Sequence, residues 1–363
     1  MARESLREGL ELEGISRSFR VGSREVWAVQ DVSLEVGRGE TFCLVGESGC
    51  GKTTTGRIAA GLIRPSRGTV RFRGDDVWRL SREDFATFRR SVQIIHQNPY
   101  ASLNPLHSVE HTLAIPLQRH HPGLSRREAR QRAAELLTMV GLTPPGDFLP
   151  KLPHQLSGGQ RQRVSIARSM TVEPSVVVAD EPVSMVDVSL RAGILKVLER
   201  LRDEAGVGFV FITHDLAVAR YFGRGGSIGV MYLGRMVEQG PTEEVVARPI
   251  HPYTRILLDA VAEPDPARTR TRRRIEPRSM DVPSLLRMPP GCPFHPRCPW
   301  YEPGLCDASV PPLRAISSRG TRSASREGPA ASGRAVACHR VDESGELPPM
   351  AAVAPSGQQV SVR

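Results

Sequence analysis

Gly46-Glu47-Ser48-Gly49-Cys50-Gly51-Lys52-Thr53 is the stretch from which the fold can be read. Its spacing is G-x-x-x-x-G-K-[ST]. Before it stands the apolar run Thr41-Phe42-Cys43-Leu44-Val45, which predicts a short buried strand. After it, residues 54–62 predict a helix. Strand, glycine loop and helix in that order form a phosphate cradle. Gly46, Gly49 and Gly51 let the backbone close around phosphate oxygens, where a Cβ would collide or forbid the φ angle. Backbone N–H groups from Ser48 through Cys50 and on to Thr54, at the helix N-terminus, supply a fixed positive field. Lys52 is placed to reach the β- and γ-phosphates, and the Thr53 hydroxyl to face Mg²⁺. The alternative, an ordinary glycine turn before a helix, is answered by the other motifs of the chain.

Three further predicted strands end in polar residues, where an open α/β sheet presents its ligand-facing groups. Val92-Gln93-Ile94-Ile95-His96 runs into Gln97, which could reach the metal or the attacking water. A Gln before Asn98-Pro99 is equally ordinary turn chemistry. Ser175-Val176-Val177-Val178-Ala179 is β-branched and ends in Asp180-Glu181. Asp180 suits Mg²⁺ held through its water shell, and Glu181 suits polarising the attacking water. The alternative is a charge pair at a helix N-terminus. Gly208-Phe209-Val210-Phe211-Ile212-Thr213 precedes His214, which either contacts a γ-phosphate or caps the helix at Asp215. Leu156-Ser157-Gly158-Gly159-Gln160 opens a helix over residues 161–168 and forms a second anion-binding end. Inside one subunit that end duplicates the phosphate loop. It makes sense facing a nucleotide held by another subunit.

Residues 9–36 alternate apolar and polar positions, as expected for antiparallel strands of a small sheet. Phe19 closes the first of them and could stack on an adenine, with Trp27 as the competing aromatic. Residues 68–72 predict another strand, Asp75-Asp76 a turn, and Ser81 with Asp84 a capping box whose Asp is a weak reciprocal partner. Residues 107–155 change character: two helical patterns, 109–119 and 126–140, are split by His120-His121-Pro122-Gly123, with no strand signal. This reads as a helical insert in an α/β core. A helix over about 188–204, a hairpin around Gly234 and a short helix from Thr242 complete the pattern.

At 363 residues the chain is long enough for a full core and two domains. No run of about eighteen apolar residues occurs, so no membrane span is expected. The mixed-charge start lacks an apolar signal region, so a reducing compartment is expected, where metal binding outranks disulfides for the six cysteines. The net charge of +10 and pI near 9.9 admit nucleic acid, an anionic membrane surface or anionic ligands as partners. Arg268, Arg270, Arg272, Arg273 and Arg274 form the densest basic cluster, read as a solvated linker.

Taken together, these motifs resemble the nucleotide-binding subunit of an ABC transporter over residues 9–248. They follow the family order: phosphate loop, Gln97, the LSGGQ signature at 156–160, the VVVADE strand at 176–181, the SMVD loop at 184–187, and His214. The resemblance implies a phosphate-loop α/β core with an antiparallel β subdomain and a helical subdomain over about 107–170. It implies ATP and Mg²⁺ as cofactors. Lys52, Thr53 and Asp180 would serve phosphate and metal, Glu181 would be the catalytic glutamate, and His214 the switch histidine. Gln97 would link the metal site to the membrane partner. Ser157, Gly158 and Gly159, with Gln160 beside them, would contact the γ-phosphate of an opposing subunit, with Asp187 at the dimer seam and Phe19 on the adenine. The chain reads Pro-Val-Ser-Met-Val-Asp where the family commonly reads Pro-Thr-Ser-Ala-Leu-Asp, keeping the polar Ser184 and Asp187.

A finer resemblance, to importers of dipeptides, oligopeptides and sometimes nickel, rests on three stretches. They are residues 97–105, residues 251–258, and Pro289-Pro290-Gly291-Cys292-Pro293-Phe294-His295-Pro296-Arg297-Cys298-Pro299. It implies a C-terminal extension over 249–340 with a linker at about 263–281, and leaves 341–363 as a disordered tail. It also implies two transmembrane permease subunits, an extracytoplasmic solute-binding protein and a second ATPase subunit, homo- or heterodimeric, at the cytoplasmic face of the membrane. The other reading is a soluble ABC ATPase acting on nucleic acid or ribosomes, motivated by the basic charge. Cys292, Cys298, Cys306 and Cys338 are spaced C-x5-C-x7-C and then a long gap, which does not choose between iron–sulfur, zinc and no metal. His295 and His339 keep a mixed zinc site open. The resemblance favours a [4Fe–4S] cluster on the tail.

Overall fold

The computed structural model describes residues 9–260, 275–316 and 333–349. The arginine cluster at 268–274 lies outside them. The first sheet is antiparallel, in the order β2-β1-β4-β5, from β1 (Leu10–Val21), β2 (Arg24–Val36), β4 (Arg67–Phe72) and β5 (Asp75–Asp76). The Asp75-Asp76 pair is thus not the expected turn. Arg73 and Gly74, both at positive φ, make it, and the two aspartates pair back on Arg71 and Phe72.

The second sheet carries the chemistry. Its strands are β3 (Thr41–Val45), β6 (Val92–Ile95), β7 (Val176–Asp180), β8 (Gly208–Thr213), β9 (Ser227–Tyr232), β10 (Arg235–Pro241), β11 (Arg314–Ala315) and β12 (Ala335–Val336), in the order β11-β12-β10-β9-β3-β8-β7-β6. From β9 to β6 the neighbours are parallel, while β10, β12 and β11 are antiparallel. Alternation explains why the parallel strands are apolar throughout. Phe42, Leu44, Val176, Val178, Val210 and Ile212 face the core shared with the first sheet. Cys43, Val45, Val177, Ala179, Phe209 and Phe211 face a core shared with the helical insert and the C-terminal extension.

Helix α1 (Lys52–Ala59) follows the phosphate loop and stops short of residue 62, because Gly61 at φ 63° lets the Leu62 N–H return to Arg57 O. Helix α2 (Arg82–Ser91) starts at Ser81, whose Oγ accepts the Asp84 N–H. The reciprocal half of that box differs: the Asp84 carboxylate receives the Ser81 hydroxyl, since its shorter side chain turns back on the cap itself. A short α3 (Pro99–Ser102) follows β6. The insert contains α4 (Val109–His120) and α5 (Arg126–Met139), and Ser125 with Glu128 forms a complete capping box on α5. The chain then returns through α6 (Gly158–Met170), α7 (Val188–Asp203), α8 (Leu216–Phe222), α9 (Thr242–Ala247) and α10 (Pro252–Asp259).

The C-terminal extension is woven into the second sheet rather than set beside it. β12 pairs with β10, and Phe294, Cys298 and Trp300 join the core of β7 and β8. Buried Glu238 on β10 ties the junction: its carboxylate accepts the N–H groups of Ile250 and His251 and the Arg334 guanidinium. Residues 275–281, expected in the linker, are also docked, with Ile275 N–H on Asp259 and Arg278 N–H on Arg297 O. Residues 341–349, expected in a disordered tail, form a turn on Asp342, and Trp300 donates to Pro348 O.

Candidate active site

Because β3, β6, β7 and β8 run parallel, their C-terminal ends share one edge of the sheet. That edge gathers the phosphate loop, Gln97, Asp180 with Glu181, and His214. Glycine is required in the loop on steric grounds. Gly46 has φ 154° and Gly51 φ 105°. A Cβ on Gly46 would lie 2.2 Å from Met231 O, and one on Gly51 2.3 Å from Ala28 O. Lys52 is buried, and its Nζ donates to Gly46 O at 2.7 Å and Glu47 O at 2.9 Å. The ammonium is thereby fixed inside the curve of the loop. Cys50 is buried beside it, 3.8 Å from Nζ, and burial pushes its thiol pKa up.

Thr53 and Asp180 meet: Thr53 Oγ1 donates to Asp180 Oδ1 at 3.1 Å. Burial pushes the Asp180 carboxyl pKa up, against the opposing pull of that hydrogen bond. A hydroxyl and a carboxylate in contact are hard oxygen donors suited to Mg²⁺, whose charge would favour the ionised acid. Next along the chain, Glu181 has φ 47°, in the left-handed region, and its N–H donates to Ile212 O. Its Oε2 accepts Gln97 Nε2 at 3.1 Å and lies 3.0 Å from His214 Nδ1. Side chains from the ends of two strands therefore converge on one carboxylate oxygen at the end of a third. Asp215, not His214, caps α8, accepting the N–H groups of Ala217 and Val218.

The LSGGQ end is built differently. Ser157 caps α6: its Oγ accepts the Gln160 N–H, and Gln160 Oε1 accepts the Ser157 N–H. Gln160, expected among the nucleotide contacts, thus has its side-chain carbonyl engaged on the cap. Ser157 is exposed, Gly158 half-buried, and Gly159 packs under Leu190 and Val186. Asp187 is exposed at the start of α7 with no side-chain cap bond. Among the described residues, none of the hydrogen bonds of 157–160 reaches the phosphate loop. Phe19 lies opposite Val26 on the β1–β2 hairpin, with the Arg17 guanidinium 5.0 Å over its ring, and Trp27 carries Arg67 at 4.8 Å.

Three residues of this region escaped the sequence reading in this capacity: Glu47, Tyr253 and Arg297. The Glu47 N–H donates to the Tyr253 hydroxyl, and its carboxylate receives Arg297. Both partners fall within quoted motif stretches, but a pairing across 206 or 250 residues leaves no local pattern.

The tail cysteines are all free thiols. Burial pushes Cys292 up to about 11, Cys338 up to about 12, and Cys298 and Cys306 upward. Every pair among the four is close enough for one thiolate to disfavour the other. Among the described residues, however, no group of three or more His, Cys, Asp or Glu side chains is arranged to hold a metal ion. Cys298 packs in the same apolar core as Phe294 and Trp300, and Cys292 lies partly buried against it.

Residues 29–184 match the family model described as ABC transporter, and residues 237–306 match the oligopeptide/dipeptide transporter C-terminal region. The chain is 43% identical over 321 residues to the "Probable peptide ABC transporter ATP-binding protein y4tS" of Sinorhizobium fredii, spanning 88% of this chain and 84% of that protein. It is 41% identical over 305 residues to the di/tripeptide transport ATP-binding protein DppF of Pseudomonas aeruginosa, spanning 84% and 92%. In fold it resembles the ATP-binding cassette MJ0796, solved as a dimer in a post-hydrolysis state with ADP and phosphate. That likeness has a TM-score of 0.59 at 31% identity, over 64% of this chain and 98% of that one. With its loop, acidic pair, glutamine and histidine on one sheet edge, the chain belongs to the ABC transporter family, among the ATP-binding proteins with the oligopeptide/dipeptide C-terminal region, and is an ATPase.

Proposed function

We propose that this protein is the energy-coupling ATPase of an importer of di- or oligopeptides. ATP closes a dimer over two composite sites, and hydrolysis reopens it. The observation that carries this reading is the convergence of Gln97 and His214 on Glu181, beside the Thr53–Asp180 pair. In it, Lys52 and the loop N–H groups hold the phosphates, and Thr53 and Asp180 hold Mg²⁺. Glu181 polarises the attacking water, oriented by His214. Gln97 reports the state of this site to the membrane partner. Ser157, Gly158 and Gly159 complete the site of a second ATPase subunit, with Asp187 at the seam and Phe19 on the adenine.

No described helix is long and apolar enough to cross a membrane. Coupling to transport therefore calls for two permease subunits and a solute-binding protein, with this chain peripheral at the cytoplasmic membrane face. The relatives are peptide-transport ATP-binding proteins and lend no support to the nucleic-acid reading. A pull-down of the tagged chain from gently solubilised membranes tests the proposal. Two polytopic permeases are the expected companions; recovery with ribosomes or nucleic acid and no permease would overturn it.

For the tail, we propose that Cys292, Cys298, Cys306 and Cys338, near enough to affect one another's ionisation and a soft-donor set suited to iron or zinc, hold an iron–sulfur cluster. Anaerobically purified protein should then contain iron and absorb visible light. Zinc without visible absorbance would assign the set to zinc, and absence of both metals would remove the cofactor.

A further inference from the structure

Glu47 is the second residue of the phosphate loop, and it is held at both ends by the C-terminal part of the chain. Its N–H donates to the Tyr253 hydroxyl at 2.9 Å. Its carboxylate receives a bidentate fork from Arg297, with Nη1 at 2.8 and 3.1 Å and Nη2 at 3.1 Å. Arg297 Nη1 also lies 3.4 Å from the Tyr232 hydroxyl. The guanidinium cannot wander. Arg297 and Tyr253 are buried, and Tyr232, Tyr253 and Phe294 interlock with ring centroids 4.6 to 5.4 Å apart. Val282, Pro283, Ser284 and Leu285 of the extension line the same hollow, about 270 Å³, as residues 47–50 of the loop.

A loop that receives polyphosphate is ill served by a bare carboxylate, since like charges repel at short range. An arginine fork is the fitting neutraliser, being permanently charged and matched to a carboxylate in plane. Tyr253 in turn fixes the amide plane from which the loop continues toward Lys52. We propose that Arg297 and Tyr253 are positioning residues of the nucleotide site: acting through Glu47, they hold the phosphate loop in its receptive shape and cancel its one carboxylate. The extension then serves the ATP site of its own chain, in addition to any role of its cysteines. This inference rests on ATP binding at the phosphate loop.

The test uses the full chain, with ATP affinity measured by titration, and the assembled transporter for kcat and KM. Lys52→Ala is the control for the underlying reading: wild type must bind ATP and Lys52→Ala must not. Given that, Arg297→Gln should raise Kd and KM about tenfold while kcat changes less than about twofold. Arg297→Lys, which keeps the charge but loses the fork, should cost about threefold. Tyr253→Phe should weaken ATP less than Arg297→Gln. The double variant Glu47→Gln with Arg297→Gln should regain most of the affinity, because no carboxylate is left bare. Wild-type affinity in Arg297→Gln would overturn the proposal, as would a double variant no better than the single one. If Arg297→Gln is too unstable to assay, Arg297→Lys decides: an unchanged Kd overturns the proposal.

Discussion

Two glycine-bearing helix ends in this molecule can both receive an anion, and they are finished to different degrees. The phosphate-loop end is enclosed. Gly46 and Gly51 press against neighbouring carbonyls, Lys52 is buried in the curve, and Tyr253 and Arg297 brace Glu47. The LSGGQ end is open. Ser157 is exposed, its cap is closed only by Gln160, and Met185, Val188 and Leu190 beside it are 58%, 77% and 42% exposed. Exposed apolar side chains grouped around a polar site mark a surface that meets a partner. The contrast fits a chain that builds one half of each of two sites: a completed phosphate cradle, and a free helix end for the cradle of another subunit.

The contrast can be broken or sharpened by mutation. The largest effect is expected at the enclosed end. Lys52→Ala should abolish measurable ATP binding and lower hydrolysis by about 10³-fold, read by titration and phosphate release. Glu181→Gln should keep ATP binding and lower hydrolysis by about 10²-fold, because the water loses its polarising base while the cradle is untouched. Retained hydrolysis there would move the base to another residue.

A smaller effect is expected where α10 braces the loop. His251 is fully buried, and burial lowers its pKa to about 3; its Nδ1 accepts the Tyr253 N–H. The unfolded chain, with an imidazole near 6.5, binds the proton more readily than the folded one. The stability this group contributes is therefore complete above about pH 6.5 and declines as pH falls toward about 3. Between pH 7 and 5 it should cost about 2 kcal/mol. Denaturant midpoints of wild type should fall over that range, and those of His251→Asn should fall by correspondingly less.

Much of the enclosed end was legible in the sequence, and the reason is local. Strand, loop and helix are contiguous, and Asp180-Glu181 and His214 each follow a strand whose apolar run marks its end. What escaped depends on pairings, near or far along the chain, that leave no local pattern. Asp75-Asp76 reads as a turn, yet pairs as a strand, because Arg73 and Gly74 already supply the positive φ angles. The extension reads as a segment joined through a linker, and its addition of β12 to the edge of β10 is not legible in the sequence, since two residues of strand carry no periodic signal. The tail thiols could be named from spacing, whereas the packing of Cys298 with Phe294 and Trp300 is a property of the folded core.

The most direct measurement pairs ATP binding with ATP hydrolysis in Ser157→Arg, in the assembled transporter. The substitution places a bulky side chain on the open end and leaves the enclosed one untouched. The account predicts an ATP affinity within about twofold of wild type and hydrolysis lower by about 100-fold. Unchanged hydrolysis, or ATP binding lost in step with hydrolysis, would contradict it.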